Sequence, residues 1–131
     1  MPSISWNPAF SVGSDKLDRQ HQKWFDLYND MRARIGGPRG LAPEALEAMK
    51  SYAADHFADE EAHMAGMGYP EFDAHREHHK DFRTALSGYC RQLRAGETGL
   101  DTQILDFIKN WLLEHVAKQD LGYARFSGNQ D

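Results

Sequence analysis

Five of the seven histidines and two of the acidic side chains have spacings that suit a metal site. A neutral imidazole binds iron, zinc or copper well, and a carboxylate can bridge two cations. Seven such groups are more than one ion needs and suit a pair of ions. The sequence therefore predicts a buried site for two metal ions, with ligands from four segments: His21, His56, Glu60, His75, His79, His115 and Asp120.

The segments that carry these residues have the three- and four-residue periodicity of amphipathic helices, and loops with Gly and Pro separate them. No segment alternates apolar and polar residues as a half-buried strand does. We expect one domain over residues 1–131, an all-α antiparallel up-down-up-down four-helix bundle with an extended N-terminal arm. The arm is predicted at 1–14 and the helices at 15–35, 43–65, 71–95 and 101–119.

Helix geometry predicts which candidate ligands share a face. Side chains four residues apart stack on one side of a helix, so His56 points with Glu60, and His75 points with His79. His21 and His115 each lie in the apolar stripe of their own helix, and the four stripes face the bundle axis.

Asp120 is the exception in this geometry. It follows His115 by five residues, which is ~140° around a regular helix. It reaches the same site only if the helix ends or loosens there, and Asp120-Leu121-Gly122 is a plausible place for that.

Composition and charge limit which metals and which binding partners are expected. Nitrogen and oxygen donors without thiolates favour iron, with manganese and zinc as competitors. The net charge of −5 and the lack of a basic run argue against nucleic acid and anionic membranes. No apolar run approaches the ~20 residues of a membrane span, and MPSISWNPAF does not resemble a signal peptide. The single cysteine, Cys90, excludes an intrachain disulfide and fits a reducing cytoplasm.

Four stretches of the chain resemble the hemerythrin family, in particular the bacterial single-domain hemerythrins. They cover nearly the whole chain in the family's order: FSVGSDKLDRQH (10–21), HFADEE (56–61) with GYP (68–70) after it, HREHHKDF (75–82) and WLLEHVAKQD (111–120). The resemblance implies one iron ion held by His75, His79 and His115, and a second held by His21 and His56 with one position open. It also implies that Glu60 and Asp120 bridge the ions beside an oxo or hydroxo bridge, and that the ions cycle between Fe2+ and Fe3+.

The function that this resemblance implies is reversible dioxygen binding at a non-haem di-iron centre, for storage or delivery and without enzymatic activity. Nitric oxide and other small anions are further expected ligands, and an oxygen-consuming protein is an expected but unidentified recipient. Two alternatives stay open: an oxygen, redox or nitric-oxide sensor, and a di-iron enzyme or iron store. Apolar residues near the ligands are expected to form the dioxygen pocket and to keep water out: Trp24, Phe25, Phe57, Trp111 and Leu112.

The remaining polar residues of these helices are assigned outside the ligand set. His63 shares the face of His56 one turn beyond Glu60, where we expect a bundle-end or supporting role. His78 is expected to face solvent, because the family's spacing matches His75, His79 and Phe82. A solvated face is also expected for three acidic residues: Asp59, Glu61 and Glu77.

Overall fold

The structure, a computed structural model, describes residues 3–35 and 40–128. It has five α-helices, with bounds α1 Asp15–Arg34, α2 Pro43–Met67, α3 Phe72–Arg94, α4 Asp101–Glu114 and α5 Asp120–Gly128. A π-helical turn, His115–Gln119, joins α4 to α5 without a break. The described residues contain no strand. The predicted all-α four-helix bundle is confirmed. Its fourth long helix consists of α4, the π turn and α5.

Local sequence signals account for the ends of the helices. The Ser14 hydroxyl accepts a hydrogen bond from the Leu17 N–H at 3.3 Å and so caps α1. Pro43 occupies the first turn of α2, where its missing N–H costs no hydrogen bond. Gly68 ends α2 with a φ of 67°, a left-handed conformation that glycine adopts without strain.

The apolar faces of the helices meet in a main core, and a smaller second cluster contains Val12, Leu17, Met64 and Tyr123. Helix α2 packs against α1 and α3, and α1 also packs against α4. The fully buried side chains of the main core come from all four helices of the bundle and include Trp24, Tyr28, Leu46, Phe57, Phe82, Leu86, Ile104, Leu105, Ile108 and Leu112. None of the helices in the described part of the chain is long and apolar enough to cross a membrane.

The N-terminal arm lies against α1 and is fastened at two points. The Asn29 amide pairs with the backbone of Ile4, accepting from its N–H at 2.9 Å and donating to its carbonyl at 2.8 Å. The Asp18 carboxylate accepts from the Val12 N–H at 2.9 Å and from the Ser11 hydroxyl at 2.6 Å. These bonds fix the arm as part of the folded domain.

The C-terminal end differs from the sequence prediction, which ended the last helix at 119. The helical path continues through Gly122 to Gly128. Glycine is present there for space, because a Cβ at Gly122 would collide with the hydroxyl of Tyr69. The extension brings Tyr123 into the interior, where it is fully buried.

Candidate metal centre

The seven predicted ligand side chains come together inside the bundle, each at most 2 % exposed. Their nitrogen and oxygen atoms form two overlapping groups in which all ligand atoms lie within 4.8 Å of one another. One group contains His21 and His56, and the other contains His75 and His79. Both groups include the same three central residues: Glu60, His115 and Asp120.

Glu60 directs its two carboxylate oxygens toward opposite halves of this cluster. Oε2 lies 3.3 Å from His21 Nε2 and 3.1 Å from His56 Nε2. Oε1 lies 3.1 Å from His75 Nε2 and 2.8 Å from His79 Nε2. One oxygen for each half is the arrangement that a bridging carboxylate requires.

Asp120 lies in the same relation to the two halves. Its Oδ2 is 2.8 Å from His21 Nε2 and 2.9 Å from His115 Nε2, and its Oδ1 is 2.9 Å from His75 Nε2. The π turn makes this placement possible, because the Asp120 N–H donates to the His115 carbonyl five residues earlier. The wider turn brings residues five apart onto the same face, which a regular α-helix does not do.

The cluster fits a pair of dications because several of its converging polar atoms lack a hydrogen-bond partner. Although several nitrogens and oxygens approach to about 3 Å, His115 Nε2 and both Asp120 oxygens have no hydrogen-bond partner among the described residues. Each unpaired buried polar atom costs about 1–3 kcal/mol. Metal ions would offset this cost by accepting the lone pairs. Five imidazoles and two carboxylates, with no thiolate, form a donor set that suits iron.

The buried histidines and carboxylates shift one another's pKa values. Burial lowers the pKa of His21 and of His75, but the adjacent Asp120 and Glu60 carboxylates outweigh it and raise these pKa values to about 10 and about 9. Burial and the charge of Glu60 raise the pKa of Asp120, but the neighbouring His115 and His21 lower it overall to about 2. His21 and His75 would therefore release protons when metal ions bind.

Comparison with known proteins identifies this arrangement. The family model described as "Hemerythrin HHE cation binding domain" matches residues 12–126. The chain belongs to the hemerythrin family. This finding confirms the resemblance seen in the sequence and the cofactor that it implied, a pair of iron ions.

Individual hemerythrins match over nearly the whole chain. A bacteriohemerythrin of Methylococcus capsulatus is 29 % identical over 126 residues, covering 95 % of this chain and 96 % of the relative. A myohemerythrin of Theromyzon tessulatum is 28 % identical over 118 residues, covering 90 % of this chain and 88 % of the relative. A crystal structure of wild-type hemerythrin superimposes with a TM-score of 0.86 at 28 % identity, covering 95 % of this chain and 97 % of that one.

Around the hemerythrin centre, three residues outside the ligand set bond to ligands. Gln20 Oε1 is 2.6 Å from His56 Nδ1, and Glu61 Oε2 is 3.0 Å from His79 Nδ1. The Tyr123 hydroxyl donates to Glu60 Oε2 at 3.1 Å. The prediction of a solvated face was wrong for Glu61. Sequence reasoning missed Tyr123 because it ended the helix too early, although Tyr123 follows Asp120 by three residues and so shares its helical face.

Aromatic rings enclose the ligands on the side facing the core. Phe57 stacks parallel on His79 with centroids 3.9 Å apart, and Trp111 stacks on His115 at 4.7 Å. Trp24 is fully buried, with its ring 5.4 Å from His56. The other two predicted pocket residues are also buried: Leu112 in the same core, and Phe25 with its ring against Phe10 of the arm.

The two extra histidines lie outside both ligand groups. His78 does not face solvent as predicted, because its half-buried ring stacks on Trp111 with centroids 4.4 Å apart. Burial and the neighbouring histidine charges lower the pKa of His78 to about 4, so it is neutral at physiological pH. The half-buried ring of His63 lies 5.5 Å from Tyr123, one turn beyond Glu60.

Proposed function

We propose that this chain binds dioxygen reversibly at its iron pair, that it serves oxygen storage or delivery, and that it is not an enzyme. One observation carries the proposal: buried imidazoles and carboxylates converge in two overlapping groups inside an aromatic-walled core. When bound, a pair of ferrous ions supplies the two electrons that reversible dioxygen binding requires. The residues of the chain hold the ions and control what reaches them.

We assign His75, His79 and His115 to one ion and His21 and His56 to the other, with Glu60 and Asp120 between them. His115 is the histidine whose ion is not decided by group membership, since it lies in both groups. Its Nε2 is 3.3 Å from Glu60 Oε1, the oxygen that also faces His75 and His79, and 2.9 Å from Asp120 Oδ2, the oxygen that also faces His21. His115 therefore contacts both carboxylates, and its assignment to the ion of His75 and His79 follows the ligand pattern of the hemerythrin family. The other ion then has one nitrogen donor fewer, and we propose that dioxygen enters at that open position.

The apolar residues around the ligands form the proposed dioxygen pocket: Trp24, Phe25, Phe57, Trp111 and Leu112. Trp24 lies against His56, one of the two histidines assigned to the ion with the open position. A small apolar molecule enters such a lining at little cost, whereas water entering it loses hydrogen bonds. Exclusion of water and protons protects the bound gas from irreversible reaction. Nitric oxide and small anions are further candidate ligands of the same position.

The cellular setting belongs to the proposal as well. Cys90 is free and buried, as is common for cysteine in a reducing compartment. We therefore propose a cytoplasmic location, with an oxygen-consuming protein as the recipient of the gas.

Gas cycling of the iron-loaded protein tests the carrier function. The visible spectrum is recorded under argon, in air and again under argon over several cycles. We expect an absorption band that appears in air and disappears on removal of oxygen. A band that decays within one cycle with release of peroxide contradicts the carrier. Turnover of a substrate with added reductant would instead support an enzyme. The His63→Ala variant should cycle like the wild type, because His63 lies outside both ligand groups.

A further inference from the structure

The two halves of the metal centre differ in the groups that bond to the outer nitrogens of their histidines. His79 Nδ1 meets the carboxylate of Glu61 at 3.0 Å, whereas His56 Nδ1 meets the amide oxygen of Gln20 at 2.6 Å. An ionised carboxylate only accepts hydrogen bonds, so His79 Nδ1 carries the proton and donates it. The Nε2 lone pair of His79 is thereby directed into the centre.

Glu61 is well placed to hold this hydrogen bond. Its side chain is 23 % exposed, and its Oε1 lies 3.4 Å from Nε of the more exposed Arg76. The imidazole of His79 is fully buried, and its plane is fixed by parallel stacking on Phe57, with an interplanar angle of 9°. Stacking sets the plane of the ring, and Glu61 sets which nitrogen bears the proton.

The corresponding contacts in the other half lack a negative charge on the partner. Gln20 is neutral, and its Nε2 donates to Asp59 at 2.8 Å, which orients the amide. His21 Nδ1 has no hydrogen-bond partner among the described residues, and neither has His115 Nδ1 in the first half. The contrast between the halves therefore rests on Glu61 against Gln20. Since a carboxylate bonded to the outer nitrogen makes an imidazole a stronger metal ligand, the half that contains His79 gains donor strength that the half with His21 and His56 lacks.

We propose that Glu61 is a positioning residue: it strengthens His79 as a ligand and makes the ion held by His75, His79 and His115 the more tightly bound of the two. This inference rests on the ligand assignment under the proposed function. It gives the two ions unequal affinities, with the weaker ion on the side where dioxygen is proposed to enter.

The test compares Glu61→Gln, which removes the charge and keeps the size, with Glu77→Gln as the matched control. Glu77 is an exposed carboxylate on α3, and its replacement makes the same change in net charge. Transfer of ferrous iron from the loaded protein to a chelator is followed under argon. We expect the more tightly held ion of Glu61→Gln to lose about 10–100-fold in affinity, the other ion to be unchanged, and Glu77→Gln to match the wild type.

Two further readouts separate positioning from a structural role. The midpoint potential of the iron pair should become more positive in Glu61→Gln, because the ferric state loses the stronger donor, and should be unchanged in Glu77→Gln, while urea should unfold both metal-free variants in a single cooperative transition. Equal weakening of both ions, or unchanged affinities, would overturn the role of Glu61 and leave the proposed function standing. If the wild type itself fails to hold two iron ions, the proposed function falls and the role of Glu61 falls with it.

Discussion

Replacement of Tyr123 by Phe removes one hydroxyl from the interior and leaves the ring in place. That hydroxyl donates to Glu60 Oε2 at 3.1 Å, and both residues are fully buried. Burial and the charges of Glu60 and Asp120 raise the pKa of the Tyr123 phenol far above its usual value, so it stays a donor at every working pH. A hydrogen bond to a charged group contributes about 1.5–3 kcal/mol. We expect the metal-free Tyr123→Phe protein to lose about that much free energy of unfolding.

Urea unfolding of the metal-free protein measures this loss without a contribution from the ions. Tyr52→Phe is the matched control, since the Tyr52 hydroxyl donates at 2.7 Å to a neutral acceptor, the backbone carbonyl of Gln20. A neutral hydrogen bond contributes about 0.5–1.5 kcal/mol. If Tyr123→Phe destabilises the protein no more than Tyr52→Phe does, the account of Glu60 as a buried charge that depends on Tyr123 is refuted.

Three other perturbations test the centre and its pocket. His56→Ala should lower the iron content from two ions to about one per chain, because the ion with fewer imidazoles loses one of them. The His63→Ala control should keep both ions. An iron assay that gives the reverse result would contradict the ligand assignment. Leu112→Ala should cost about 2–5 kcal/mol of stability and shorten the lifetime of the oxygenated form by admitting water, and an unchanged decay of the visible band would remove Leu112 from the pocket. The apparent affinity for ferrous iron should rise with pH up to about 10, since the pKa values of His21 and His75 are raised to about 10 and about 9 and both must lose protons to bind metal. Chelator competition at several pH values checks this, and a flat profile would count against it.

Helical periodicity accounts for most of what the sequence predicted. Spacing by four residues places His56 beside Glu60 and His75 beside His79, and the apolar stripes decide which face is buried. These signals are local, so one sequence suffices to read them. The bundle follows from four such stripes, because packing four amphipathic helices side by side buries all of their apolar faces in one shared interior.

The features that sequence reasoning missed depend on packing between distant segments. Gly122 has the type of a helix terminator, but the structure uses it to admit the hydroxyl of Tyr69. The ring of His78 is half-buried because it stacks on Trp111, 33 positions later in the chain, with ring centroids 4.4 Å apart. Glu61 resembles any acidic residue of an exposed helix face until α3 brings His79 within 3.0 Å of it.

The position of Asp120 depends both on local sequence spacing and on packing between distant segments. Its distance of five residues from His115 indicated that the helix must end or loosen, and the structure loosens it through a π turn. Sequence geometry could state the requirement, but not which of the two solutions the chain adopts, because the choice depends on the packing of α5 and Tyr123 against the rest of the bundle.

The central claim is that seven inward-facing side chains hold two iron ions and share two carboxylates. A crystal structure of the iron-loaded protein, with anomalous data collected at the iron absorption edge, tests it most directly. We expect two anomalous peaks in the core, one beside His75, His79 and His115 and one beside His21 and His56, with Glu60 and Asp120 contacting both. A single peak, or a second ion bound away from these residues, would contradict the account.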